Sequence, residues 1–107
     1  PHYDAAARRM IRLADRYPDA SGVLGRALNQ GARELLLAQA SDWAFIMKTG
    51  TMVEYATGRV IEHLKNFSDL ATAIEGDGLD ERVVRRFEKA WPIFPSLDYR
   101  VFSSSLH

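Results

Sequence analysis

Apolar side chains recur along this chain at intervals of three and four, and almost nowhere at two, so the pattern predicts helices and no sheet. The strongest run is Val53, Ala56, Val60, Leu64, Phe67, Ala71 and Ile74. It predicts a long helix over residues 52–75. Thr51 stands where it would cap this helix, and Glu54 completes a capping box. Gly76-Asp77-Gly78 stops it.

Upstream, Ala7, Met10, Ile11, Ala14 and Tyr17 give one apolar face to a first helix over about residues 4–17. Asp4 is its candidate N-cap, and Pro18 ends it. Arg8, Arg12 and Arg16 share another face. A second helix, over about residues 21–40, has Ser21 as its cap and Leu24, Leu28, Ala32, Leu35 and Leu36 as its buried stripe. Leu37 widens that stripe, which predicts neighbours on more than one side. Gly25 and Gly31 each cost a helix about 1 kcal/mol relative to Ala, and imply either close packing or a local irregularity.

Ser41 and Asp42 are both cap formers, so they predict a break, followed by one or two helical turns through Met47. Lys48-Thr49-Gly50-Thr51 predicts a second break. Asp80 caps a last helix to about Trp91, with Val83, Val84, Phe87 and Trp91 inward. Pro92 and Pro95 end helical structure. The tail beyond them carries Phe94, Leu97, Tyr99, Val101 and Phe102, too apolar for a free end, so it reads as a strap over the helices. The expected fold is all-α: a compact bundle of about five helices with an extended C-terminal strap, one domain over residues 1–107.

Composition agrees with that picture: 47% of the residues are hydrophobic and 26% charged, as in an ordinary soluble globular domain. There is no cysteine, which excludes disulfides and thiolate metal sites and suits a cytoplasmic setting. Fourteen basic residues balance fourteen acidic ones, so neither a nucleic acid nor an anionic membrane is an expected partner. No apolar run approaches the roughly 18 residues that span a bilayer. The first residue is Pro1 rather than Met, which reads as a piece of a longer protein or a processed chain.

Chemistry-bearing motifs are sparse. His2, His63 and His107 form no metal-ligand spacing, and neither a metal nor a cofactor is expected. Asp4, Asp42, Glu54 and Asp80 fall near predicted helix starts, where the macrodipole favours negative charge, so no catalytic residue is assigned. Arg82, Arg85 and Arg86 are interleaved with Glu81 and Glu88, which makes a solvated charged face. Trp43 is the most informative side chain. After two cap-forming polar residues it either stacks on the apolar face of a sugar ring or plugs the bundle end with its indole N–H bonded to a carbonyl. Trp91, set in an amphipathic stripe, reads as core.

Several runs together resemble the C-terminal domain of glycoside hydrolase family 57 branching enzymes. They are Leu28-Asn29-Gln30, the stretch from Ala32 through Arg33-Glu34-Leu35-Leu36-Leu37 to Ser41-Asp42-Trp43, Phe45-Ile46-Met47-Lys48-Thr49-Gly50-Thr51, Glu54-Tyr55-Ala56, His63-Leu64 and Phe94-Pro95-Ser96-Leu97-Asp98-Tyr99-Arg100-Val101-Phe102. The resemblance implies a parent 1,4-alpha-glucan branching enzyme, a transferase of glycogen biosynthesis that cuts an α-1,4-glucan and rejoins the piece as an α-1,6 branch. Its catalytic Glu and Asp would belong to a barrel outside this chain. The helical domain would pack on that barrel and wall the glucan cleft, with Trp43 stacking on glucan beside Asp42 and Phe45. One departure is Ala44, where proline is common. The rival expectations are a stand-alone interaction or structural bundle with no carbohydrate role, and a nucleic-acid-binding helical domain, which the balanced charge disfavours.

Overall fold

The computed structural model describes residues 2–47, 52–76 and 78–104; at residues 2, 42–47 and 52–57 it describes the backbone alone. Among the described residues four helices follow one another: α1 (His2–Arg16), α2 (Gly22–Met47), α3 (Met52–Glu75) and α4 (Glu81–Ala90). A strap then leads to a 3₁₀ turn at Tyr99–Phe102. Among the described residues there is no strand. The all-helical bundle predicted from the periodicity is therefore the fold.

α2 and α3 pack as a long hairpin, and α1, α4 and the 3₁₀ turn lie against it. At about 1.5 Å per residue, α2 alone runs nearly the whole 43 Å length of the molecule. The core gathers Met10, Leu13 and Ala14 from α1, Ala27, Leu28, Ala32 and Leu35 from α2, and Phe67, Ala71 and Ile74 from α3. Val84 of α4 and Tyr99 of the strap complete it. Leu13 belongs to this core although the sequence stripe passed it over.

The predicted break at Ser41 does not occur: α2 continues unbroken through Met47, so the described residues hold four helices, close to the five or so expected. A cap residue ends a helix only if the chain enters it from non-helical backbone, and nothing before Ser41 turns the chain away. Ala40 and Ala44 bracket the segment with the strongest helix former. Gly25 and Gly31 also leave α2 intact. A Cβ at Gly25 would stand 2.9 Å from the Ala20 carbonyl oxygen, so this glycine lets the α1–α2 connection close on the helix. Asp4 lies inside the first turn of α1 rather than before it, where the helix dipole still favours it. Residues 48–51, the second predicted break and the Thr51 cap, lie outside the described residues. Asp80 caps α4 as expected, its side chain accepting from the Arg82 N–H.

Charged pairs tie the outer helices to the hairpin. Arg9 reaches Glu75 Oε1 at 2.6 Å and Thr72 Oγ1 at 3.2 Å, joining α1 to α3. Arg26 grips Glu88 with two bonds, of 3.2 and 2.7 Å, and Glu81 with one, joining α2 to α4. The strap is held by Tyr99, whose N–H donates to Asn29 Oδ1 at 2.8 Å and whose hydroxyl donates to the Tyr17 carbonyl and accepts from the Ala20 N–H. Its far end is fastened to Asp15, which accepts from Ser103 Oγ, Ser104 N–H and Ser104 Oγ. The strap does not bury everything apolar in it. Ile93, Phe94 and Val101 stay substantially exposed, and Phe94 takes φ 55° just before Pro95.

Candidate functional site

The three residues predicted to meet a sugar chain, Asp42, Trp43 and Phe45, sit in the last two turns of α2. They are helical positions rather than loop positions. At about 100° per residue, Asp42 and Phe45 fall within about 60° of each other around the axis, and Trp43 about 100° from Asp42. Their side chains lie outside the described residues. The three residues stand at the end of the hairpin where α2 leads toward α3. The Tyr3 hydroxyl of α1 reaches Gln39 at 3.4 Å, and Trp91, following α4, lies with its ring 4.7 Å from the Arg59 guanidinium.

Just behind that end is a buried polar cluster that the sequence reading did not assemble. Glu34 is completely buried, and its Oε1 accepts from His63 Nδ1 at 2.8 Å and Asn66 Nδ2 at 3.1 Å. When Glu34 is a carboxylate it only accepts, and Nδ1 is then the ring nitrogen that donates. Glu34 Oε2 accepts from Gln30 Nε2 at 2.9 Å, and the same Nε2 lies 3.3 Å from the Phe87 carbonyl oxygen. Arg33 Nη1 donates to Gln30 Oε1 at 2.8 Å, and its Nε to the Phe94 carbonyl at 3.1 Å. The His63 ring meets Trp91 edge-on at 4.6 Å. Trp91 is thus half-buried between His63 and Arg59 at the C-terminal end of α4, outside the core cluster in which the stripe placed it.

One signal for this cluster was present. Gln30 and Glu34 occupy i and i+4 on an otherwise apolar stripe, and His63 and Asn66 i and i+3 on another. What the spacing does not contain is that the two stripes face each other across 29 residues of chain.

Elsewhere the electrostatics are those of surface ties. The Arg9 hydrogen bond holds the Glu75 carboxyl below its ordinary range, and Arg85, then Arg26, do the same to Glu81. The Ser104 bonds lower Asp15, and the Arg100 N–H lowers Asp98. Among the described residues, no group of three His, Asp or Glu side chains is placed to hold a metal ion. A groove of about 390 Å³ between α1 and α3 is lined by Ala5, Ala6, Arg9, Arg12, Leu64, Phe67 and Ser68 and holds no carboxylate. A second, of about 330 Å³, holds Asp69 alone, and a third, of about 160 Å³, holds Glu88 alone. None of the three offers the pair of facing carboxylates that glycoside cleavage uses. No helix among the described residues is long and apolar enough to cross a membrane.

This chain is similar to known proteins. The family described as 1,4-alpha-glucan branching enzyme, C-terminal, matches residues 2–102. A 1,4-alpha-glucan branching enzyme of Thermococcus kodakarensis is 39% identical over 74 residues, which is 69% of this chain and 11% of that protein. The crystal structure of the alpha-amylase AmyC of Thermotoga maritima is similar with a TM-score of 0.85 at 42% identity, covering 95% of this chain and 20% of that one. This chain therefore spans only a small part of either relative's length. With the family match running almost from end to end, and a relative at better than a third identity agreeing with it, this chain belongs to the C-terminal domain family of the 1,4-alpha-glucan branching enzymes.

Proposed function

We propose that this chain serves a glycoside hydrolase family 57 branching enzyme of glycogen biosynthesis, acting in the cytoplasm as a single domain that packs on the catalytic barrel. In this reading the end of the α2–α3 hairpin walls the glucan cleft. Trp43 stacks on a glucosyl ring, Asp42 positions a sugar hydroxyl, and Phe45 adds apolar surface. The chain itself performs no bond cleavage; the nucleophile and the acid/base belong to the barrel. The single observation that carries the reading is the family match over residues 2–102. The placement of Asp42, Trp43 and Phe45 in the last two turns of α2 supports their assignment, because all three share one end of the hairpin.

The test is a ¹H–¹⁵N NMR titration of this chain with a long maltooligosaccharide, beside the Trp43→Ala variant. Saturable shifts centred on the Trp43 indole and the backbone of residues 41–47, absent in the variant, are the expected outcome. If no shift appears at millimolar sugar, the same substitution in the full-length enzyme decides: unchanged branching activity there would remove Trp43 from the cleft.

A further inference from the structure

The apolar pattern leaves open how far α2 and α3 slide along one another. α2 presents Leu28, Ala32, Leu35, Leu36 and Leu37, and α3 presents Leu64, Phe67, Leu70, Ala71 and Ile74. Displacing one helix by a turn, about 5.4 Å, lays apolar side chains on apolar side chains again. Gly31 does not lock the offset by a close approach: a Cβ there would stand 3.5 Å from the Phe67 ring, an ordinary contact.

The polar cluster is less permissive. Glu34 has no exposed surface, and among the described residues its bonds come from Gln30 on its own helix and from His63 and Asn66 on α3. A slip of one turn toward the C-terminal end of α3 replaces His63 and Asn66 with Phe67 and Leu70, which donate nothing. A slip the other way replaces His63 with Arg59, which still donates, but replaces Asn66 with Glu62, a second carboxylate against the first, and pulls Arg59 off the Trp91 ring. A buried charge stripped of its partners costs more than apolar repacking returns. The same cluster extends to the rest of the bundle, through Gln30 to the Phe87 and Trp91 carbonyls and through Arg33 to the Phe94 carbonyl.

We infer that Glu34, His63 and Asn66, with Gln30, set the register of the α2–α3 hairpin and thereby position its end, where Asp42, Trp43 and Phe45 sit. These are positioning residues: they select one register among several that bury the apolar stripes about equally well. The use of that position for glucan rests on the function proposed above; the register itself does not. Replacing a buried ionic cluster with apolar side chains of similar volume is often neutral for stability, so the role is choice of arrangement rather than strength.

The experiment uses this chain, which has no cysteine of its own. Spin labels on Ala40→Cys and Ser68→Cys, both at exposed positions well apart along the hairpin, read the helix offset by pulsed electron resonance. The parent is expected to give one narrow distance. The triple replacement Glu34→Met, His63→Leu, Asn66→Leu is expected to keep its helical circular dichroism and its melting temperature within about 10 °C, while the distance splits or moves by about 5 Å, one helical turn. An unchanged single distance would overturn the inference, because packing alone would then set the register. Failure to fold, or a larger fall in melting temperature, would overturn it too, since the cluster would then be holding the fold up. The labels are read without sugar. A split distance beside a silent maltooligosaccharide titration would therefore sink the glucan reading and leave the register assignment standing.

Discussion

Tyr99 shows how much one side chain secures. It is 1% exposed, its hydroxyl serves Tyr17 and Ala20 at the α1–α2 connection, and its own N–H is held by Asn29 of α2. Removing only the hydroxyl leaves the Ala20 N–H and the Tyr17 carbonyl without that partner in a half-buried place. Tyr99→Phe is therefore expected to lower unfolding free energy by about 1–3 kcal/mol. Urea denaturation measures it; a loss under about 0.5 kcal/mol would mean that water replaces the hydroxyl. The tail sequence marked Tyr99 as apolar and docked, but its hydrogen bonds come from residues 70 or more positions away. No local pattern contains them. His63 is the companion case. Its spacing in sequence matched no metal site, which fits a structural or a surface histidine alike, and its partner Glu34 became visible only when α2 and α3 faced each other.

Among the elements, α4 is the shortest helix and depends most on its ends. At 10 residues it is below the length at which an isolated helix is stable in water, so its cap and its docking hold it. Asp80 accepts the Arg82 N–H at 2.8 Å, and Arg26 grips both Glu81 and Glu88 from α2. Asp80→Ala is expected to cost about 1 kcal/mol, with faster amide exchange confined to the first turn of α4. Unchanged exchange at Arg82, Val83 and Val84 would show that Arg26, not the cap, fixes that end. α2 teaches the opposite lesson. Its Ser41-Asp42 pair carried a start signal inside a helix, and the continuing helix overrode it.

Across the whole molecule, carboxylates hold the parts together. Asp15 fastens the strap, Glu75 joins α3 to α1, Glu81 joins α4 to α2, and Asp98 caps the 3₁₀ turn. All four are held below the ordinary carboxylate range: Asp15 by Ser104, Glu75 by Arg9, Glu81 by Arg85, Asp98 by the Arg100 N–H. With folded values depressed, the unfolded chain takes up protons first as pH falls. The stability they contribute is complete above the unfolded value of about 4 and is lost as pH drops through the folded values. The urea midpoint is expected to hold nearly level from about pH 7 to pH 5 on their account and to decline below about pH 4. Asp15→Asn should reduce that decline, and an equal decline in the variant would show that the strap's fastening is not among the titrating ties.

The sequence alone determined the helical class, the extents of α3 and α4, the Asp80 cap, most of the apolar core and the branching-enzyme resemblance. Each rests on short-range periodicity, cap chemistry or ordered motifs that survive without a partner surface. Tertiary structure decided that α2 runs through Ser41 to Met47, that Tyr99 locks the strap to the α1–α2 connection, and that Glu34 meets His63 and Asn66. Those features depend on which helix faces which and at what offset. That is a balance of buried charge, hydrogen bonding and packing between residues far apart in the chain, and no local pattern records it.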